Sequence, residues 1–308
     1  MNINEFAYLA GYIDGDGCFY VRTYIQNQKI LVFDYSIQVS SVDEDIIIFF
    51  HQRFGGVYSM RSEKREDRKD SYLWTVKTKQ STEIANQIII FLVSKRKICE
   101  LFLQVGNSII PNCGIAIAVE TISKRIEIFD QIKEEIHMND RVSEEVFKSF
   151  KNIKKSIESS QEDLAYFAGL IDSEGCFRIG EFTSKRVGRN RSFISILEIG
   201  NTKSAIFPWL MQRFGGTIVY RKGKSILHNP MIIWSLKSKA LHQILDKIHP
   251  FLRVKKERCE KLIELRNTTI PNGGDRSSSE FKNIQSSIQN KRKSIAKDLH
   301  KLNAKGKH

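Results

Sequence analysis

The chain lacks most of what membrane, secreted and common catalytic architectures require. Its longest apolar runs, residues 46–50 and 88–93, fall far short of the roughly 20 residues that cross a bilayer. No Lys or Arg precedes Arg22, so the basic start of a secretory or transit peptide is not expected. The five cysteines (Cys18, Cys99, Cys113, Cys176, Cys259) are scattered and nowhere closely paired. That argues against a disulfide framework or a zinc knuckle. Each is read as a small buried hydrophobe, and the expected location is intracellular (an organelle or a bacterial cytoplasm), not secreted. The seven histidines show no metal-ligand spacing, and no Ser-His-Asp or Cys-His constellation is visible. No Gly-Lys-Ser follows Gly55-Gly56 or Gly215-Gly216, which are therefore read as helix-to-strand turns.

What the chain has in excess is positive charge. Its 308 residues carry 49 Lys+Arg against 35 Asp+Glu, a net charge of +14. That balance favours a polyanionic partner, nucleic acid or an anionic membrane surface. Hydrophobic residues at 41% suffice for a packed core, and the length suits two domains.

The two domains are copies of one another. Residues 6–19, FAYLAGYIDGDGCF, have a twin in residues 164–177, LAYFAGLIDSEGCF. Gln52-Arg53-Phe54-Gly55-Gly56 returns as Gln212-Arg213-Phe214-Gly215-Gly216. Trp74 and Trp234, Cys99-Glu100 and Cys259-Glu260, and Ile110-Pro111-Asn112 and Ile270-Pro271-Asn272 keep the same interval. Such a chain is a monomer with an internal pseudo-dimer, in which a two-fold arrangement buries the same patch from each copy. The expected organisation is a first repeat over 1–114, a helical connector and polar linker over 115–160, a second repeat over 161–274, and a basic tail over 275–308. The tail is expected to be solvated or frayed, with extra phosphate contact as the other reading.

Within each copy, helical spacing of Tyr8, Leu9, Tyr12 and Ile13 precedes Gly17, where a helix would end. Period-two alternation then predicts strands over 18–25 and 30–42, matched by 176–182 and 192–200. A helix over 43–54 (203–214), two strands (57–61 and 72–77; 217–222 and 231–237) and a helical pair complete the unit. The fold class is therefore α+β: two tandem αββαββα repeats about a pseudo-two-fold axis, each with a four-stranded antiparallel sheet. One sheet face packs on helices, with Trp74 and Trp234 in the core. Pro111 and Pro271 stop helices.

The twin motif places small residues (Ala10-Gly11, Ala168-Gly169) where two helices can approach closely. It also places carboxylates (Asp14/Asp16, Asp172/Glu174) at helix C-termini, where the macrodipole disfavours them. Two such ends side by side crowd four carboxylates, an arrangement that calls for divalent cations, with Mg²⁺ the best match to hard oxygen ligands and retained waters.

These motifs, residues 9–17 and 167–175, resemble the two copies of the LAGLIDADG motif, and the chain resembles a single-chain, two-repeat LAGLIDADG homing endonuclease. The likeness covers about residues 4–112 and 161–272. It implies motif helices packed at the repeat interface, sheets that saddle duplex DNA, and metal-dependent cutting of both strands across the minor groove with short 3′ overhangs. It implies Asp16 and Glu174 as the metal-binding acids, helped by the carbonyls of Gly15 and Ser173, with Asp14 and Asp172 at the interface. Mg²⁺ or Mn²⁺ would support cleavage, and Ca²⁺ would bind without it. By the same likeness, Lys95 and Lys255 lie near the scissile phosphates, and Ser41 and Asn201 organise water. Glu in place of Asp at 174 leaves the two halves free to differ in rate.

Long polar side chains on the open sheet face suit base edges in a major groove. The expected readers are Tyr20, Arg22, Tyr24, Gln26, Ser36, Gln38, Ser40, Arg61, Thr75 and Lys77 in the first copy. In the second they are Arg178, Gly180, Phe182, Ile194, Ile196, Glu198, Arg221, Ser235 and Lys237. The basic hairpin tips, residues 64–69 and 185–191 with Arg189 and Arg191, suit phosphates. The copies differ at nearly every reader position, so the expected target is not a true palindrome. The partner expected is double-stranded DNA, with no membrane. The alternatives are an intron RNA maturase on the same scaffold and a DNA-binding regulator that does not cut.

Overall fold

The computed structural model describes residues 2–26, 30–62, 70–107, 119–138, 142–183, 191–223, 229–268 and 278–304. The first repeat runs α1 (Ile3–Asp16), β1 (Gly17–Gln26), β2 (Ile30–Ser41), α2 (Glu44–Phe54), β3 (Val57–Arg61), β4 (Ser71–Lys77), α3 (Thr78–Ile88), α4 (Arg96–Asn107) and α5 (Val119–Met138). After α6 (Glu144–Phe150), the second repeats the order: α7 (Gln161–Glu174), β5 (Gly175–Thr183), β6 (Arg191–Asn201), α8 (Ile206–Phe214), β7 (Thr217–Arg221), β8 (Met231–Lys237), α9 (Ser238–Ile248), α10 (Lys256–Arg266) and α11 (Ser279–Ala304). Each repeat holds one antiparallel four-stranded sheet, in the orders β1-β2-β4-β3 and β5-β6-β8-β7. This is the expected α+β architecture.

Each sheet buries one face. Phe19, Tyr35, Ile37, Val39, Trp74 and Val76 meet Ile46, Ile47, Phe50 and Phe54 of α2 in the first core, and Phe177, Leu197, Ile199 and Trp234 occupy the same places in the second. A buried indole N–H needs an acceptor. Trp74 Nε1 donates to the Gly55 carbonyl at 2.8 Å and Trp234 Nε1 to Gly215 at 2.7 Å. Those glycines adopt φ of +71° and +70°, a region open to glycine without strain, so the turn and the core tryptophan specify one another.

The cores join through α1 and α7. Both helices open on a capping box, Asn2 with Glu5 and Ser160 with Asp163, and both box acids also receive an arginine, Arg53 at 2.8 Å and Arg213 at 2.7 Å. The helices cross at Gly11 and Gly169. A Cβ on Gly11 would sit 1.9 Å from the Tyr166 carbonyl oxygen, and one on Gly169 would sit 2.0 Å from that of Tyr8. The crossing is backbone against backbone.

Three expectations change. The C-terminal segment is not frayed: α11 buries Ile295 and Leu299, Arg292 donates to Thr268, and Asn303 Nδ2 donates to the Phe177 carbonyl at 2.8 Å. The helical connector is not a separate element. Helix α5 packs on α4 as α11 packs on α10. Each therefore closes its own repeat. The polar linker is strapped down: Val142 N–H donates to the Thr202 carbonyl at 2.9 Å, and Ser156 and Ile157 donate to Gln212 at 2.9 and 3.1 Å. Pro111, Pro271 and Cys113 lie outside the described residues.

Candidate active site and nucleic-acid interface

Helices α1 and α7 bring their C-terminal acids together, but the four carboxylates separate into two pairs with different work. Asp14 and Asp172 are 2% and 3% exposed. Asp14 Oδ2 accepts the N–H groups of Val93 (2.7 Å) and Ser94 (3.1 Å), and Oδ1 accepts that of Lys95 (2.8 Å). Asp172 accepts Arg253, Val254 and Lys255 at 2.7, 3.1 and 2.8 Å. Each also accepts a phenol from the opposite repeat: Tyr166 on Asp14 at 2.6 Å, and Tyr8 on Asp172 at 2.7 Å. Four donors per buried carboxylate satisfy its charge without a cation. The expected crowd of four acids is therefore two.

Asp16 and Glu174 are the remaining two, and neither accepts a hydrogen bond among the described residues. Partial burial raises the pKa of both. The charge of Asp16 raises that of Glu174 further, whereas Lys255 and Lys95 pull in the opposite direction. The charge of Asp16 is thus felt at Glu174, and the same two lysines are the counter-charge to both. A cavity of about 550 Å³ is lined by Asp16, Ser41 and Tyr12 of the first repeat and by Ser173, Lys255 and Arg258 of the second, so it is built by both copies.

The lysines resolve the helix-dipole problem. No basic residue lies in the last turn of α1 or α7. Instead Lys95 Nζ donates to the carbonyls of Ile13 (2.6 Å), Gly15 (3.1 Å) and Gly17 (2.8 Å), and Lys255 Nζ to those of Ile171 (2.7 Å) and Ser173 (3.1 Å). An ammonium at a helix C-terminus satisfies otherwise open carbonyls and complements the dipole. Burial lowers both lysines, with Lys255 at about 8. The Gly15 and Ser173 carbonyls thus already serve the lysines. Ser41 Oγ accepts the N–H of Asp43 at 3.1 Å and the Tyr12 hydroxyl at 3.3 Å, and Asn201 Oδ1 accepts the N–H of Lys203 at 2.9 Å. Both side chains lock the turn that leaves the strand.

On the sheets, register pairs Tyr20 with Ser36, Gln38 with Thr75 and Lys77 with Ser36, so one face gathers Tyr20, Arg22, Tyr24, Gln38, Ser40, Arg61 and Lys77. The second sheet likewise gathers Arg178, Gly180, Phe182, Glu198, Arg221 and Lys237. Four expected readers fail. Ser36, Thr75, Ile196 and Ser235 lie on this face but are only 2%, 7%, 5% and 6% exposed. Each sits on one of the two middle strands of its sheet, with a paired residue on both sides. Gln38 Nε2 donates to Ser36 Oγ at 3.0 Å. Of Gln26 and Arg191 only the backbone is described, and Arg189 and both basic hairpin tips lie outside the described residues. Two arginine readers are oriented by carboxylates, Arg22 by Asp34 at 3.0 Å and Arg178 by Glu198 at 2.5 Å. The sequence reading missed Asp34, although its even spacing from Ser36 on the same strand marked the face. It also missed Val57 and Val219, which stand on this face 61% and 52% exposed. Cys18 and Cys176 open this face rather than the core, whereas Cys99 and Cys259 are buried as expected.

The family model described as LAGLIDADG endonuclease matches residues 9–98. A comparison with curated proteins returns no match. Among solved structures, the I-LtrWI LAGLIDADG homing endonuclease bound to target DNA is similar at 19% identity and a TM-score of 0.58, covering 94% of this chain and 98% of that one. The I-SmaMI homing endonuclease bound to cleaved DNA follows at 16% identity and 0.58, covering 96% of each chain. The meganuclease I-AabMI bound to uncleaved DNA is similar at 14% identity and 0.57, covering 98% of each. Residues 9–98 therefore match the LAGLIDADG endonuclease model, and the whole chain, with two motif helices crossing at their glycines and two four-stranded sheets, shares the fold of these single-chain, two-repeat structures.

Proposed function

We propose that this protein is a site-specific endonuclease that hydrolyses both strands of a long, pseudo-palindromic DNA duplex with a divalent cation, Mg²⁺ in the first instance, leaving short 3′ overhangs. The observation that carries this reading is the division of labour among the motif acids. Asp14 and Asp172 are fully engaged in holding backbone, while Asp16, which lines the two-repeat cavity, and Glu174, next to the cavity residue Ser173, accept no hydrogen bond among the described residues and have raised pKa values.

The donor set fits a hard cation. Two carboxylates repelling one another are stabilised by a positive ion between them, and the carbonyls of Gly15 and Ser173 each keep a second lone pair beyond the lysine N–H they accept. Among the described residues no group of three or more His, Cys, Asp or Glu forms a cage, which suits an ion that retains waters. When bound there, the cation would lower the pKa of water and act as a Lewis acid on the phosphodiester. The protein's own part is positional. Lys95 and Lys255 set positive charge beside the reacting phosphates. The third N–H of Lys255 has no acceptor among the described residues and is available in the cavity that it lines. The open faces of the two sheets hold the duplex, and Arg22, Arg178, Arg221, Gln38 and Lys77 present donors to base edges. Different residues on matching frames read different half-sites.

The test uses a plasmid carrying the intronless junction of the host gene that flanks this reading frame. Linear product is expected with Mg²⁺ and none with EDTA, and binding without cleavage is expected in Ca²⁺. Asp16→Asn and Glu174→Gln should each lower cutting at least about 100-fold while target affinity persists. Undiminished cutting in either variant, or tight intron RNA binding with the DNA left intact, would overturn the reading.

A further inference from the structure

We infer that Tyr8 and Tyr166 are positioning residues that fix each catalytic lysine loop from the opposite repeat, so that each strand-cutting centre is set by a tyrosine supplied in trans. The functional consequence rests on the endonuclease reading above; the clamp itself rests on geometry alone.

The clamp has three linked parts. Asp14 gathers the backbone N–H groups of residues 93–95. Lys95 Nζ then reaches back to the carbonyls on either side of Asp14, those of Ile13 and Gly15. Loop and helix end are thereby tied twice, through the carboxylate and through the ammonium. The third part is the Tyr166 hydroxyl, 2.6 Å from the same Asp14 oxygen that accepts Val93 and Ser94. It is the one donor of the set that belongs to the other repeat. Tyr8 holds Asp172 in the same way, at 2.7 Å from the oxygen that accepts Arg253 and Val254. Both phenols are 2% exposed, and burial beside a carboxylate raises both pKa values, so each stays a donor at neutral pH.

A packing role alone does not account for the hydroxyls. The rings have their own neighbours: Tyr166 lies edge-on to Trp209 with centroids 4.7 Å apart, and Tyr8 lies edge-on to Phe49 at 6.2 Å. Phenylalanine would keep those contacts. What phenylalanine lacks is the proton that links the carboxylate to the opposite repeat. The two clamps also differ in backing. In the second repeat the Arg253 guanidinium lies 3.5 Å from the Phe49 ring centroid and 5.5 Å from that of Tyr8. The equivalent residue of the first repeat is Val93. The loop bearing Lys95 therefore depends more heavily on its tyrosine.

The test is amide hydrogen exchange on the full chain without metal or DNA, in Tyr166→Phe and Tyr8→Phe. Tyr166→Phe should speed exchange at residues 93–95 about tenfold and leave 253–255 as in the parent. Tyr8→Phe should do the reverse, with a smaller factor. On target plasmid with Mg²⁺, Tyr166→Phe should accumulate circles nicked in one strand and Tyr8→Phe circles nicked in the other. Unchanged exchange in both variants, or loosening of both loops by either one, would overturn the clamp. The two readings fail separately. A parent that cuts no DNA but shows the exchange pattern removes the endonuclease reading and keeps the clamp; a parent that cuts without that pattern does the opposite.

Discussion

The two repeats agree where they hold the motif helices and part company in the charge of the helices that close them. The acid clamps match bond for bond, and the tryptophan-to-glycine bonds are nearly equal, at 2.8 and 2.7 Å. The closing helices do not match at all. Helix α5 carries three basic and five acidic residues, whereas α11 carries six basic and two acidic ones. Lys95 donates to three carbonyls and Lys255 to two. Beside Lys255 stands Arg258, where the first repeat has Ile98. Duplication copied a frame for holding two lysines against two helix ends, and the copies then diverged in charge around that frame. Equal geometry with unequal electrostatics suits the target with unlike half-sites proposed above.

The largest expected effect attacks what the repeats share. Gly11→Ala or Gly169→Ala drives a methyl into a carbonyl of the facing helix, and no rotamer relieves it. Overpacking usually costs about 1–3 kcal/mol. Here backbone lies on both sides, and we expect about 3 kcal/mol or more in denaturant unfolding. Because the crossing is reciprocal, the two variants should lose similar amounts. A variant that keeps parental stability would show that the helices can part without loss, and the shared frame would no longer explain the paired site.

Much of this frame was legible in the sequence, because duplication doubles every signal. The constant interval paired Gly55-Gly56 with Gly215-Gly216 and Trp74 with Trp234, and alternation identified the outward face of both sheets. Three things escaped. The partners of Asp14 lie about 80 residues downstream on another element, a separation that no local pattern encodes, so four acids read as one cluster. Alternation reports direction, not shelter, and Ser36, Thr75, Ile196 and Ser235 lie on the outward face yet are buried. Helices α5 and α11 are equivalent in space, but their charges have diverged so far that neither announced the other.

The divergence of those helices is the next place to press. Lys293, Lys297 and Lys301 recur every fourth residue on exposed positions of α11. They neighbour a cavity lined by Arg178, Lys255, Arg258 and His300. If this face meets the second half-site, changing all three to Gln should lower the salt dependence of target binding by about one unit of log–log slope per lysine. The chain's fold should not change, since none of the three is buried. Equivalent changes on α5, at Lys124 and Lys133, should leave the slope nearly as it was. Equal losses from both helices would mean that the charge asymmetry has no counterpart in the DNA.

The smallest expected effect concerns the lysines themselves. Burial lowers Lys255 to about 8, and Arg258 pushes in the same direction while Asp172 opposes it. At Lys95 burial is opposed by Asp14, Cys18, Asp16 and Glu174. Between about pH 8 and its ordinary value of 10.5, Lys255 is neutral in the folded chain and charged in the unfolded one. The unfolded state then binds the extra proton, so Lys255 makes stability rise with pH, by at most about 1.4 kcal/mol per pH unit. Burying its charge is a constant cost below about 8, is relieved as pH climbs, and vanishes above 10.5. Arg258→Ile, which imports the residue of the first repeat, should lift the folded midpoint and shorten that window from below. Urea unfolding of the metal-free chain at pH 8, 9 and 10 would measure it against the parent. Parallel stability curves would show that Arg258 does not set the charge of Lys255, and the electrostatic difference between the two centres would then have to lie in their third carbonyl acceptor alone.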